Sequence, residues 1–266
     1  MSGHLRLDPD AAPLPAVAPE SAAIGRSLRS YYAPGRAAEL DAFLARFLGP
    51  GELGFDIGAH VGDRTASFRR LGARAVAVEP QPRLQRLLRL LFRGDPGVVL
   101  DASLIGSQRG RATLHLNRAN PTVATASAAF MQAAAGAEAW RDQVWDSAIE
   151  LPVTTLDALI DTHGEPHFAK LDVEGFEAAA LAGLSRPLRS LSFEFTTLQR
   201  RTALDALRTL EALGADYSFN ACLGEAMRFA LDAPVHAGTL ARWLEALPET
   251  ANSGDVYASL EEARVS

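Results

Sequence analysis

Residues 53–80 read LGFDIGAHVGDRTASFRRLGARAVAVEP. The run is an apolar strand ending in Asp56, a glycine turn at Gly58 and Gly62, an amphipathic helix, and a second strand (75–78) ending in Glu79. Asp56 and Glu79 lie 23 residues apart, each at the carboxyl end of a predicted parallel strand. In an open α/β sheet that edge is where nucleotide-like ligands bind. An acid about 20 residues beyond a glycine turn grips two ribose hydroxyls, because one carboxylate accepts both hydrogen bonds. The spacing therefore implies an adenosine-type cofactor.

Glycine spacing and charge select among such cofactors. A dinucleotide turn places glycine at the middle of G-x-G-x-x-G so that the backbone can approach a pyrophosphate. Here that position is His60, and acids flank the turn at Asp56 and Asp63. Acids repel a pyrophosphate but suit an ammonium and a sulfonium. S-adenosylmethionine carries both and no phosphate, so the methyl donor is favoured over NAD.

Bulk properties narrow the class. The chain has 266 residues, 48% hydrophobic and 22% charged, which is ordinary for a globular protein. No apolar run approaches the roughly 20 residues that span a bilayer, and the start lacks the pattern of a secretory signal. A membrane partner is not expected. The single Cys222 cannot form an internal disulfide, which fits a reducing cytoplasm. A net charge of −6 argues against nucleic acid as partner. Arg83, Arg86, Arg89 and Arg93 have the spacing of a solvated helix face.

Residues 1–30 are rich in Ala and Pro without periodicity and read as a flexible N-terminal arm, of which residues 1 to about 28 are expected to be dispensable for stability and cofactor binding. Residues 31–266 read as the globular domain. It opens on a helix at about 36–48, stopped by Gly-Pro-Gly at 49–51. Strands are expected at 98–104, 112–117, 150–154, 168–173, 190–196, 217–222 and 255–259. Helices are expected at 82–92, 155–161, 176–184, 202–213 and 239–247. Strands separated by helices imply parallel pairing. Residues 118–148 form an insertion of the kind that builds a lid or substrate wall.

A second dense signal is Lys170-Leu171-Asp172-Val173-Glu174-Gly175-Phe176-Glu177. A parallel strand covered on both faces should be almost continuously apolar. Ionisable groups there incur a desolvation cost unless paired or placed at the open strand end. Asp172 and Glu174 are thus expected at the carboxyl edge, facing the crevice shared by Asp56 and Glu79. A structural Lys170–Asp172 pair with Glu174 at a helix start is the competing reading.

Together FDIGAHVGD (55–63), VAVEP (76–80), TTLDAL (154–159), AKLDVEGFEAAALAG (169–183) and SFEF (192–195) resemble the FkbM family of S-adenosylmethionine-dependent methyltransferases over about residues 50–200. The resemblance implies a Rossmann-like class I methyltransferase fold, a mostly parallel seven-stranded sheet with helices on both faces and the last strand antiparallel. It further implies O-methylation of a hydroxyl on a sugar, polyketide or other small molecule. The family usually has Asn where this chain has His60.

By position, Asp56, Gly58 and Gly62 would hold the methionine end of the cofactor and Glu79 the ribose. Asp101 and Ala102 would lie near the adenine, unless Asp101 is an exposed turn acid. His60 would touch cofactor or substrate, or be a bystander. Asp172, Glu174, Glu194 and Lys170 are the candidate catalytic residues. The acids, Asp172 and Glu174 foremost, serve either as general base or as ligands of Mg²⁺. His163 and His167 flank the strand's entry, away from the site. The competing functions are a nicotinamide-linked oxidoreductase and a non-catalytic methyltransferase-like binding module. The sequence does not reveal the acceptor or the oligomeric state.

Overall fold

The structure is a computed structural model that describes residues 19–260, the Pro19 and Ala139 side chains excepted. Two helices, α1 (Pro19–Tyr31) and α2 (Arg36–Leu44), precede a sheet domain. Its first half runs β1 (Leu53–Ile57), α3 (Asp63–Arg70), β2 (Arg74–Val78), α4 (Pro82–Leu91) and β3 (Val98–Asp101). An excursion follows, through β4 (Leu104–Ile105), β5 (Gly110–Leu116), α5 (Ala128–Ala135) and β6 (Ser147–Thr154). The second half runs α6 (Leu156–His163), β7 (Phe168–Leu171), α7 (Glu177–Leu181), β8 (Ser190–Thr196), α8 (Arg200–Ala212), β9 (Ser218–Leu223), α9 (Ala237–Ala246) and β10 (Ser253–Ser259).

The main sheet has seven strands in the order β3-β2-β1-β7-β8-β10-β9. All neighbours pair in parallel except β10, which runs antiparallel between β8 and β9. This is the expected Rossmann-like class I methyltransferase sheet. Successive side chains of β10 go to opposite faces: Val256 and Ala258 join the core under α6 to α9, and Tyr257 joins the core under α2 and α3. The second core is aromatic, with the Tyr257 ring stacked on Phe47 at 5.3 Å. The first contains Leu171, Phe193, Leu207 and Leu240. Both faces are covered, so β1 is buried along its whole length. Among the described residues no helix is long and apolar enough to cross a membrane.

Several expectations are corrected. The arm expected over residues 1–30 does not extend that far: residues 19–31 form α1, and residues 1–18 lie outside the described chain. Helix α1 is fastened to the body: Tyr32 Oη donates to Val61 O at 3.1 Å, Arg26 to Ala119 O at 2.8 Å, and Glu20 pairs with Arg83 at 2.7 Å. The strand expected at 98–104 ends at Asp101, and Leu104–Ile105 pairs instead with β6. Strands β5 and β6 are outside the main sheet and pair antiparallel with each other. Their alternating exposure suits a sheet with one solvated face.

Candidate functional site

Registering β1 against β7 sets Asp56 beside Lys170 and brings the loops after both strands to one edge. Gly58 (φ 82°) makes this contact possible: a Cβ there would sit 1.8 Å from Asp172 O. His60 follows in the left-handed region (φ 48°), and Gly62 closes the turn at φ 79° against Leu88 and Phe92. Glu79, 2% exposed, meets this turn from β2. Its Oε2 accepts from His60 N at 2.9 Å and its Oε1 from Gln81 N at 2.8 Å. Burial pushes the carboxyl up to about 7, outweighing the two backbone N–H donors that favour its charged form. Each oxygen keeps a further lone pair that can accept a second hydrogen bond.

The second acid group follows β7. Lys170 Nζ donates to Asp172 Oδ2 at 2.7 Å, and the lysine is held protonated against its burial, above all by Asp172. Glu174 occupies the left-handed region (φ 53°). Burial first, then Asp172, raises its carboxyl well above the usual range. Glu194, from β8, is raised likewise by burial and then by Glu174. Carboxylate oxygens of Asp172, Glu174 and Glu194 lie within 4.8 Å of one another, and Glu194 Oε2 is buried without a hydrogen-bond partner. Glu177 is buried and structural: its Oε1 accepts from Val173 N at 3.0 Å and Gly175 N at 3.2 Å, shaping the turn into α7.

These groups line one cleft enclosing about 780 Å³, part of it open to solvent. Of the residues singled out in the sequence, Gly58, His60, Asp63, Glu79, Lys170, Asp172, Glu174 and Glu194 form its wall. Asp56, Gly62, Asp101 and Ala102 are not in that wall. Asp56 is fully buried, and its Oδ2 accepts from Thr65 N (2.9 Å) and Thr65 Oγ1 (2.5 Å), so it fastens β1 to α3. Asp101 Oδ1 accepts from Ser103 N at 2.7 Å, a turn contact. His167 sits at the opposite edge, its Nε2 3.8 Å from Glu52.

Other wall residues carried no sequence signal. Gln81 follows the Glu79 motif and donates to Pro121 O at 2.9 Å. Arg64 is buried behind the glycine turn, with Nη1 2.9 Å from Asp63 Oδ2 and Nη2 2.9 Å from Glu225 Oε2. Tyr31, the last residue of α1, sets its ring edge-on to His60 at 5.6 Å. Burial lowers His60 to about 4, so the imidazole is neutral, and its Nε2 is buried without a partner.

A family profile described as the methyltransferase FkbM domain matches residues 56–218, more than half of the chain. The chain belongs to this family. Solved structures similar to it include a methyltransferase FkbM from Methylobacillus flagellatus KT, with 18% identity and a TM-score of 0.46. The match covers 78% of this chain and 43% of that one, so the chain spans less than half of that relative's length. A TehB-like SAM-dependent methyltransferase from Corynebacterium glutamicum matches at 12% identity and a TM-score of 0.44, over 88% of this chain and 95% of the other. An O-methyltransferase from Bacillus cereus, in complex with SAH, matches at 13% identity and a TM-score of 0.40, over 90% and 91%. Scores below 0.5 are loose, and membership rests on the family match. No curated protein matches the chain.

Proposed function

We propose that this FkbM-family chain transfers a methyl group from S-adenosylmethionine to a hydroxyl of a small molecule or glycan. The observation that carries the reading is one cleft joining the ribose-type acid Glu79 to the Asp172–Glu174–Glu194 group. S-adenosylmethionine supplies a methyl on a sulfonium. As the acceptor oxygen forms the new C–O bond, the C–S bond breaks and its electron pair leaves with S-adenosylhomocysteine. The chain's own contribution is alignment of donor and acceptor, and removal of the hydroxyl proton. A carboxylate of the Asp172–Glu174–Glu194 group is the proton's destination. Lys170 holds Asp172 in place.

The clustered oxygens and the unpartnered Glu194 Oε2 also suit a hard divalent cation such as Mg²⁺. Asp172, Glu174 and Glu194 would hold it, and it would lower the pKa of the acceptor hydroxyl. The buried Cys222 supports a reducing, cytoplasmic setting.

The test is calorimetric titration with S-adenosylmethionine and with NAD, followed by assay of S-adenosylhomocysteine release across glycan and polyketide panels. Binding of the methyl donor but not NAD is expected. Asp172→Asn and Glu174→Gln should leave cofactor affinity within a few-fold. One of them should lower the rate by about 10²–10⁴, the range a positioned base supplies. Silencing by EDTA with rescue by Mg²⁺ would assign the acids to a metal. Full activity in both variants would return them to a structural role.

A further inference from the structure

We infer that Asp63, Arg64, Glu225 and Tyr31 form the subsite for the α-amino-acid end of S-adenosylmethionine. The inference rests on the methyl-donor reading and goes beyond it by assigning that end to residues partly outside the family-matching stretch. Tyr31 and Glu225 both lie beyond residues 56–218.

Four observations carry it. First, Asp56, the acid placed by sequence at the methionine end, is sealed in the core and engaged by Thr65, so the cleft must find its counter-charges elsewhere. Second, His60 divides the cleft: its backbone N bonds Glu79 on one side, and its ring meets Tyr31 on the other. A ligand whose ribose sits on Glu79 therefore extends past His60 toward Tyr31. Third, the charges waiting there match a zwitterion. Arg64 lies between Asp63 and Glu225 at 2.9 Å from each, and Arg36 reaches Glu225 at 2.5 Å. Asp63, Arg64 and Glu225 all line the cleft, so both signs of charge stand at this end and a ligand bearing one ammonium and one carboxylate meets a partner for each. Arg64 faces the carboxylate, and Asp63 and Glu225 the ammonium. Fourth, the Tyr31 ring lies 5.9 Å from the Arg64 guanidinium and 5.2 Å from that of Arg36, while its hydroxyl has no hydrogen-bond partner among the described residues. That hydroxyl is free to bond the ligand. Burial opposes ionisation of Glu225, but Arg64 and then Arg36 draw it down to about 2, so it is charged at neutral pH.

The experiment compares two thioethers that share the adenosine and differ in the amino-acid arm: S-adenosylhomocysteine, which has it, and 5′-methylthioadenosine, which does not. Both are titrated calorimetrically into the full chain and its variants, with a thermal melt of each to establish folding. Glu225→Gln removes the charge and keeps the shape, and should weaken S-adenosylhomocysteine by about 10- to 100-fold, the worth of a charge-assisted hydrogen bond. The 5′-methylthioadenosine affinity should stay within about twofold. Tyr31→Ala should show the same split with a smaller loss. Glu79→Ala should weaken both ligands alike, because both carry the ribose. Equal losses for both ligands in Glu225→Gln, or no loss for either, would overturn the subsite. If Glu225→Gln fails to fold, Asp63→Asn carries the same comparison. Wild-type protein that binds neither ligand would overturn the methyl-donor reading itself, a result visible before any variant is made.

Discussion

Glu79 concentrates the chemistry of the cleft in a single side chain. Its folded pKa of about 7 stands above the ordinary 4.5 because burial disfavours the charge. The sign for folding follows: the stabilising contribution is present below the unfolded pKa and is lost as pH rises through about 7. Under the proposed function cofactor binding runs the other way, since only a carboxylate accepts from both ribose hydroxyls. Affinity for S-adenosylmethionine should therefore be flat above neutrality and fall by roughly tenfold per pH unit well below it. Calorimetry across pH checks this, and Glu79→Gln should bind weakly with no such slope. Glu79→Ala should cost roughly 2–4 kcal/mol of binding with the fold intact. Gly58 is the conformational counterpart. Its φ of 82° and the 1.8 Å approach of Asp172 O leave no room for a side chain. Gly58→Ala should destabilise by more than about 2 kcal/mol, read from urea denaturation midpoints, because the clash is with backbone that cannot swing away. Both residues were legible in the sequence, as a glycine turn and an acid at a strand end. The engagement of Asp56 with Thr65 was not, because nothing in the spacing shows which face of the edge a strand-end acid meets.

At the scale of elements, α1 departs furthest from the sequence reading. The segment PESAAIGRSLRSY has small apolar residues and no broad stripe, so it resembles the arm before it. It docks instead through buried Ala23 and Ser27 and through hydrogen bonds from Arg26 and from neighbouring Tyr32. A chain beginning at residue 32 should melt several degrees below one beginning at residue 19. Losing about 2 kcal/mol corresponds to about 4–8 °C for a domain of this size, and scanning calorimetry measures it. Equal melting temperatures would mean that α1 is held only weakly. The alternation of helix and strand located β1, β2, β7 and β8 well, since buried parallel strands are short apolar runs bounded by turn residues. It could not assign β5 and β6 to a separate sheet. Their register is antiparallel, Leu114 opposite Ile149, and is set by partners far apart in sequence. Helix α7 ends at Leu181, short of the expected 184, and at its start Glu177 accepts from the Val173 and Gly175 N–H groups.

Taken whole, the molecule packs a core against each face of the seven-stranded sheet, and Cys222 reports on that closure. Its thiol is buried against the aromatic core, and burial, then Asp255, pushes it up to about 12. Native protein should resist a thiol reagent near neutral pH and react only as it unfolds, so the labelling rate should follow global opening. Rapid labelling of the native chain would show local opening at β9 instead. The sequence by itself determined the sheet class, the glycine turn, the acid Glu79 at the end of β2 and the acid group after β7. Each of these is a local pattern: a strand's apolar run, a turn's positive φ, or the cost of a charge near a strand end. Tertiary structure alone decided which acids reach the cleft. It buried Asp56 under α3, folded Tyr31 of α1 across His60, and brought Glu225 from beyond β9 to Arg64. Exposure and ion pairing between residues more than a hundred positions apart depend on how the layers pack, and no spacing along the chain encodes that packing.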